Sequence, residues 1–484
     1  MKIIHKIGII AIFLVALATG IFWLAPDSGL EKGMVIVTAV PSATNLTQVV
    51  QGADNRYIQG AQIIALKMDP GIEMVEPVLL TEEFYSARAP EISYNGEKMT
   101  FSGQKSKGDT WNIYSMDLKS FEVSQITFGN ENCTDPTWLP DGRIAFSMEN
   151  DDVLAGPVHR LYACEQDGKD LKQLTFNPNS SFESSVFQDG RIIVIDEQKY
   201  PQSSNRKLMA LRTDGTKSEL FYESEQEAEV IGKVWEAGEK VYFIERDHQN
   251  SKKASLVSVN QGHSLSSFKN LTENISGEFN SLSPGTDGHM FVSYREKEDQ
   301  TFGLRTFDLK KQELTEVKYS NPEFHIIEPV LISVRQVPMK LPEIVDESKD
   351  KGKLLCLNAD LSMGGNESLN EDSRKTAKVQ IFGLNEMIGE VPVEADGSFY
   401  IEINANIPVR FQTVDDQGEV LRGPSSWIWV RPNEKRSCIG CHEDRELSPD
   451  NKVPDALYAG MTKLPNGDRT EAIKINGKEK RDEE

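Results

Sequence analysis

The residues of this chain best suited to chemistry sit late in it, at Ser437-Cys438-Ile439-Gly440-Cys441-His442. Two cysteines three positions apart, followed at once by a histidine, form the attachment sequence of a c-type haem. Both thiols lie on one turn of backbone and can add to the two vinyl groups of one porphyrin, while the adjoining imidazole reaches the iron as proximal ligand. A zinc site asks for further ligands nearby, and only carboxylates follow His442. A redox-active Cys-x-x-Cys belongs in a thioredoxin-like βαβ context, which is absent around these residues. The expectation is therefore one covalent haem c, held through Cys438 and Cys441, with His442 on the iron.

The sixth iron position is open at this stage. Met461 is the only methionine after the motif, and His159, His248, His263, His289 and His325 lie upstream, each of which also reads as an ordinary surface or core residue. An open position permits catalysis or small-molecule binding, and a filled one favours electron transfer. The 42 residues after His442 are about half of what a free-standing cytochrome c domain uses, so the haem has to lean on another domain. Cys133, Cys164 and Cys356 remain, the first two as a pair or as buried thiols. Trp427 and Trp429, two apart, read as core packing or, less simply, as neighbours of the haem. No Ser-His-Asp arrangement, nucleotide loop or metal cage appears, so no catalytic residue is assigned.

The elements that position this motif announce themselves as a repeat. Asn95-Gly96, Asp141-Gly142, Asp189-Gly190, Ala237-Gly238 and Asp287-Gly288 recur every 46 to 50 residues, and each is followed by a short strand pattern such as Arg143-Ile144-Ala145-Phe146. A period of this length built from several short strands marks propeller blades, which bury their faces against neighbours. Five blades are visible, and a sixth is assembled from Phe324 to Ser333 with Ala61 to Lys67, closing the ring with both ends. The wording of the repeats, Pro136-Thr137-Trp138-Leu139-Pro140-Asp141-Gly142 above all, resembles the TolB-like, PD40 class of propellers. Residues 61–338 are the predicted propeller, 26–60 and 339–376 linkers, 377–432 a small antiparallel sandwich-like β-domain, 433–470 the haem segment and 471–484 a disordered charged tail.

Composition bounds the compartment and the partners. The 484 residues suggest two to four folded units, and a net charge of −22 argues against a nucleic-acid partner. Lys2 and Lys6 precede an uncharged run from Ile7 to Ala25, an export signal long enough to stay as an anchor or to be cut near Ala18. The mature chain is expected in the periplasm or another extracytoplasmic space, touching membrane only through residues 7–25.

Taken together, the propeller, Val391-Pro392-Val393-Glu394-Ala395-Asp396-Gly397, Pro408-Val409-Arg410-Phe411-Gln412-Thr413 and Arg431-Pro432-Asn433-Glu434-Lys435-Arg436-Ser437-Cys438 resemble the hydrazine synthase alpha-subunit family. The resemblance runs from about Ala61 to Leu457. It implies a haem c packed with a propeller and a middle β-domain, thioethers on Cys438 and Cys441, the histidine at His442, and partner subunits or a redox partner protein. Members of that family carry a second haem and are thought to use a tyrosine soon after the motif as iron ligand. This sequence has one motif and no tyrosine between His442 and Tyr458. The expected function is a mainly β, exported haem protein for electron transfer or small-molecule redox chemistry, related to hydrazine synthase without its reaction. The competing reading is a propeller-based binding protein with a structural or sensory haem.

Overall fold

The repeated turns close as the spacing predicts, because Gly96, Gly142, Gly190, Gly238 and Gly288 all adopt φ between +68° and +93°, a region glycine enters without a Cβ penalty. Each turn joins an inner strand to the next one outward. In the second repeat Cys133–Trp138, Ile144–Asp152, Gly156–Cys164 and Lys172–Gln173 make one antiparallel four-stranded sheet. Four further repeats build the same sheet, beginning with the inner strands Ser86–Ile92, Asn179–Val186, Ala228–Ala237 and Glu278–Pro284.

The computed structural model describes residues 29–46, 56–68, 77–202, 206–224, 228–247, 253–361, 375–440 and 452–464. The apolar run Ile7–Ala25, Cys441, His442, His248 and the tail 471–484 lie outside the described residues. Among those described, no helix is long and apolar enough to cross a membrane. The chain divides into two compact units, one drawn from Met1–Gln173, Asn179–Ala210 and Leu220–Leu341, the other from Leu174–Pro178, Leu211–Glu219 and Pro342–Glu484.

The first unit is a six-bladed β-propeller. Its sixth sheet pairs Phe324–Leu331 with Val35–Pro41, followed by Gln62–Leu66 and Val78–Leu79. The stretch 26–60, read as a linker, thus contributes a strand. Val35–Val40 are buried throughout, since this strand has sheet neighbours on both sides and apolar clusters on both faces. The inner strands touch in succession, and Phe324–Leu331 meets Ser86–Ile92 to complete the ring. Apolar clusters fill the gaps between adjacent sheets, for example Phe187, Phe221, Val234 and Phe243 between the third and fourth. Burying one such phenylalanine contributes about 1.5–3 kcal/mol.

The second unit holds two four-stranded sheets around one core. Lys435–Cys438, Lys351–Cys356, Phe399–Asn404 and Thr462–Lys463 form one, and Met387–Pro392, Lys378–Phe382, Arg410–Val414 and Val420–Arg422 the other. Leu354, Ile401 and Ile403 from the first meet Val379, Ile381 and Phe411 from the second, the layered sandwich expected of alternating strands. The stretch 339–376, read as a linker, supplies Lys351–Cys356, and the haem segment 433–470 supplies both outer strands of that sheet. Trp427–Val430 alternates like a strand but makes only a single bridge among the described residues, Val409↔Ile428, and buries the rings of Trp427 and Trp429.

Two of the turns separate conformation from packing. A Cβ on Gly190 would stand 2.1 Å from the Met339 carbonyl oxygen, whereas one on Gly238 would meet nothing within 4 Å. Gly190→Ala is expected to destabilise the propeller by at least about 1 kcal/mol more than Gly238→Ala, both sharing the left-handed φ penalty. Chemical unfolding followed by tryptophan fluorescence reads the difference.

Candidate functional site

The haem motif leaves the sandwich from an edge strand. Lys435–Cys438 runs parallel to Lys351–Cys356, with Cys438 opposite Cys356, and the half-buried Cys438 side chain packs against the sandwich core. The pairing continues past the strand, as Leu357 N–H donates to the Cys438 carbonyl at 2.9 Å and Asn358 N–H to that of Ile439 at 3.1 Å. Gly440 ends the described run, and a Cβ there would stand 2.3 Å from the Leu361 carbonyl oxygen. Only glycine lets the chain lie so close.

The residues leading into the motif are tied down by one buried carboxylate. Glu434 is fully buried and accepts from the N–H groups of Arg431 and Lys217, each at 2.8 Å. The Lys217 ammonium donates to the Lys435 carbonyl at 2.6 Å, and Arg436 Nη1 to Ser218 Oγ at 3.1 Å. Arg431, also buried, donates to Asn406 Oδ1 at 2.7 Å and to the Asp214 carbonyl at 3.2 Å. Trp429 Nε1 donates to the Gly215 carbonyl at 3.1 Å, and Arg410 lies over the Trp427 ring at 4.6 Å. Both tryptophans therefore serve as packing anchors. The roles of Arg431 and Glu434 were hidden in a sequence that showed only their place beside the motif.

Of the side chains considered for the sixth iron position, Met461 belongs to the second unit. It precedes Thr462–Lys463, the strand at the opposite edge of the sheet from Cys438, three strand spacings or about 14 Å away. The described histidines belong to the propeller. His159 takes a hydrogen bond from Arg56 Nη2 at 3.1 Å on Nδ1 and contacts Tyr57 Oη at 2.7 Å through Nε2. His325 accepts from Phe302 N–H at 3.1 Å and reaches the Ser42 carbonyl at 3.3 Å. Both rings are thus engaged at both nitrogens. His289 faces Asp308 at 3.7 Å, and His263 bridges Asn260. Cys133 and Cys164 are free, buried thiols, pushed up to about 12 by burial.

A second candidate site lies on the propeller axis. Each inner strand is broken at the same place, and Ala89, Asp135, Glu183, Gly232 and Glu328 take φ between +53° and +68° there. These positions, with Asn280, line a cavity of about 140 Å³. The break turns three acids onto Arg88, which lies 3.2 Å from Asp135, 3.3 Å from Glu183 and in contact with Glu328. Burial works against the charge on Arg88, and Glu328, Asp135 and Glu183 outweigh it, raising its pKa. Burial, then Asp135 and Glu328, push the Glu183 carboxyl up to about 7 against the pull of Arg88. Farther along the same wall Lys233 Nζ donates to Glu91 at 2.6 Å and to Thr137 Oγ1 at 2.7 Å. This cluster was missed in the sequence, although a signal existed: the six positions recur every 46 to 49 residues, and proline follows Ala89, Asp135 and Glu328.

Propeller, sandwich and edge-borne motif define a class in which a β-propeller precedes a small β-domain ending in a Cys-x-x-Cys-His sequence. Residues 350–443 match the family model described as the hydrazine synthase alpha subunit middle domain, a span that includes Cys438, Cys441 and His442. Over that span the chain is similar to the hydrazine synthase alpha family, as its motifs implied. Hydrazine synthase subunit alpha of Kuenenia stuttgartiensis is 21 % identical over 494 residues, covering 75 % of this chain and 61 % of the relative. The chain thus spans about three fifths of that curated relative. The solved structure of Kuenenia stuttgartiensis hydrazine synthase shares the fold at a TM-score of 0.75 and 18 % identity, over 89 % of this chain and 72 % of that one. TolB from Acinetobacter baumannii aligns at a TM-score of 0.44 and 13 % identity, over 61 % of this chain and 66 % of that one.

The raised carboxyl of Glu183 makes a pH test. A proton held more tightly by the folded chain than by the unfolded one stabilises at low pH, and that stability is lost as pH rises from about 4.5 to about 7. Glu183→Gln escapes the loss. Its stability relative to wild type is expected to rise across this window by up to about 3 kcal/mol and to level off above it, as read by unfolding at a series of pH values.

Proposed function

We propose that this chain is an exported c-type haem protein that uses a hydrazine synthase alpha-like scaffold for electron transfer or small-molecule redox chemistry. The observation that carries this reading is the Cys438-Ile439-Gly440-Cys441-His442 sequence, whose first thiol stands half-buried at the end of an edge strand. The donor set fits a haem c: Cys438 and Cys441 would hold the porphyrin and His442 its iron. When bound, the haem supplies a one-electron centre.

The chain's own residues do the positioning. Glu434 fixes the entry to the strand through two main-chain N–H groups, Arg431 holds the preceding turn, and Gly440 brings the backbone flush against Leu361. The relative's description as a subunit supports partner subunits or a redox partner protein. The lysine-flanked run Ile7–Ala25 supports a periplasmic or extracytoplasmic location, with or without retention as an anchor. Hydrazine synthesis is not part of the proposal, since no tyrosine stands between His442 and Tyr458. A second reading, a propeller-based binding protein with a structural or sensory haem, is favoured by the cavity on the axis, with charged side chains in its lining.

The test is a pyridine haemochrome spectrum of the full chain exported in a host that matures haem c, beside Cys438→Ala/Cys441→Ala. One covalent haem per chain in wild type, absent from the variant, is the expected result. A folded, exported wild-type protein without haem overturns the proposal.

A further inference from the structure

One end of the axial cavity is rich in arginine, and its lining carboxylates are committed elsewhere. Asp135, Glu183 and Glu328 all converge on Arg88, while Arg56, Arg206 and Arg246 line the same cavity. The Arg246 side chain is 6 % exposed, and among the described residues it faces Glu278 at 3.9 Å. That carboxylate is already gripped by Arg295 through Nε at 2.9 Å and Nη2 at 2.6 Å. The Nε of Arg246 is buried without a hydrogen bond among the described residues, and so is the Nε of Arg206. Arg206 stands 3.5 Å from Glu197 and 3.6 Å from Glu229, near enough to feel their charge. It shares the Phe182 ring with Arg56, at 5.0 and 3.9 Å.

Leaving buried guanidinium donors unmade is costly, and a planar pair of oxygens is the partner they match best. A cavity of about 140 Å³ is well above the roughly 10–15 Å³ that one water needs, so it admits a small anion. The nearby carboxylates Glu197, Glu229 and Glu278 leave the two Nε donors without a hydrogen bond among the described residues, and an anion's oxygens would supply it. Burial lowers the pKa of Arg246, and Arg206 and Arg295 add to the effect against Glu278 and Glu229. We propose that the axial cavity of the propeller binds a small oxyanion, a carboxylate or an inorganic anion with coplanar oxygens, between Arg206 and Arg246, with Arg56 as the third positive group. The site is separate from the haem motif and does not depend on it.

The test is isothermal titration calorimetry on the full-length protein at pH 7, in chloride-poor buffer at constant ionic strength, with acetate, malonate, nitrate and phosphate. At least one anion is expected to bind one per chain, and the carboxylate and inorganic arms identify the source. Arg246→Gln and Arg206→Gln should each weaken binding tenfold or more, and Lys169→Gln, on the exposed surface, should leave it unchanged. Should either cavity variant fail to fold, competition in the wild-type protein by rising chloride takes its place, with a matching loss of affinity expected. Absence of one-to-one binding by any of the four, unchanged affinity in both cavity variants, or preferential binding of guanidinium in the same assay would overturn the proposal.

Discussion

A ring of sheets keeps its shape only if the last sheet is paired on both sides, and here that condition rests on Val35–Pro41. This strand hydrogen-bonds to Phe324–Leu331 on one flank and to Gln62–Leu66 on the other. Without it Phe324–Leu331 would present an open edge to other chains. The same pairing governs the axis. Glu328 lies on Phe324–Leu331, accepts from Thr38 Oγ1 at 2.6 Å and reaches Arg88 on the first blade. Asp135 and Glu183 come from the second and third blades, so the four charges meet only when the ring is closed. Topology and electrostatics are therefore one constraint, and a fault in either is felt in both.

Both candidate sites use a buried carboxylate to organise their surroundings. On the axis, Asp135, Glu183 and Glu328 sit in left-handed backbone that costs a non-glycine residue about 1–3 kcal/mol, and they face inward where apolar packing would have been simpler. The arrangement persists because removing one member of a buried ion cluster strands the others. In the second unit Glu434 collects two main-chain N–H groups and thereby sets the path into Cys438. Charge in these places specifies geometry more than it adds stability.

Much of this was legible in the amino-acid sequence because turns and strand alternation are local. The glycine turns, the five full blades and the haem motif all announce themselves within a dozen residues. Val35–Pro41 and Lys351–Cys356 escaped notice for the opposite reason: each is a lone strand whose partners lie far along the chain, with no hairpin beside it to mark its register. Trp427–Val430 alternates like a strand, yet large rings seeking burial decide its course. Arg431 and Glu434 could be seen only as neighbours of the motif, since their partners Lys217, Asn406 and Asp214 are remote in sequence. The axial acids did leave a trace in the repeat, where Asp135, Glu183 and Glu328 occupy one position of the period.

The closing strand also sets a timetable for synthesis. Thr38 and Glu328 are 290 residues apart, and at roughly 5–20 residues per second the ribosome needs about 15–60 s to make the second after the first. For that interval Val35–Pro41, apolar on both faces, has no partner on its Phe324–Leu331 side. The ring can therefore close only after its last blade has been made, however early its first strand appears.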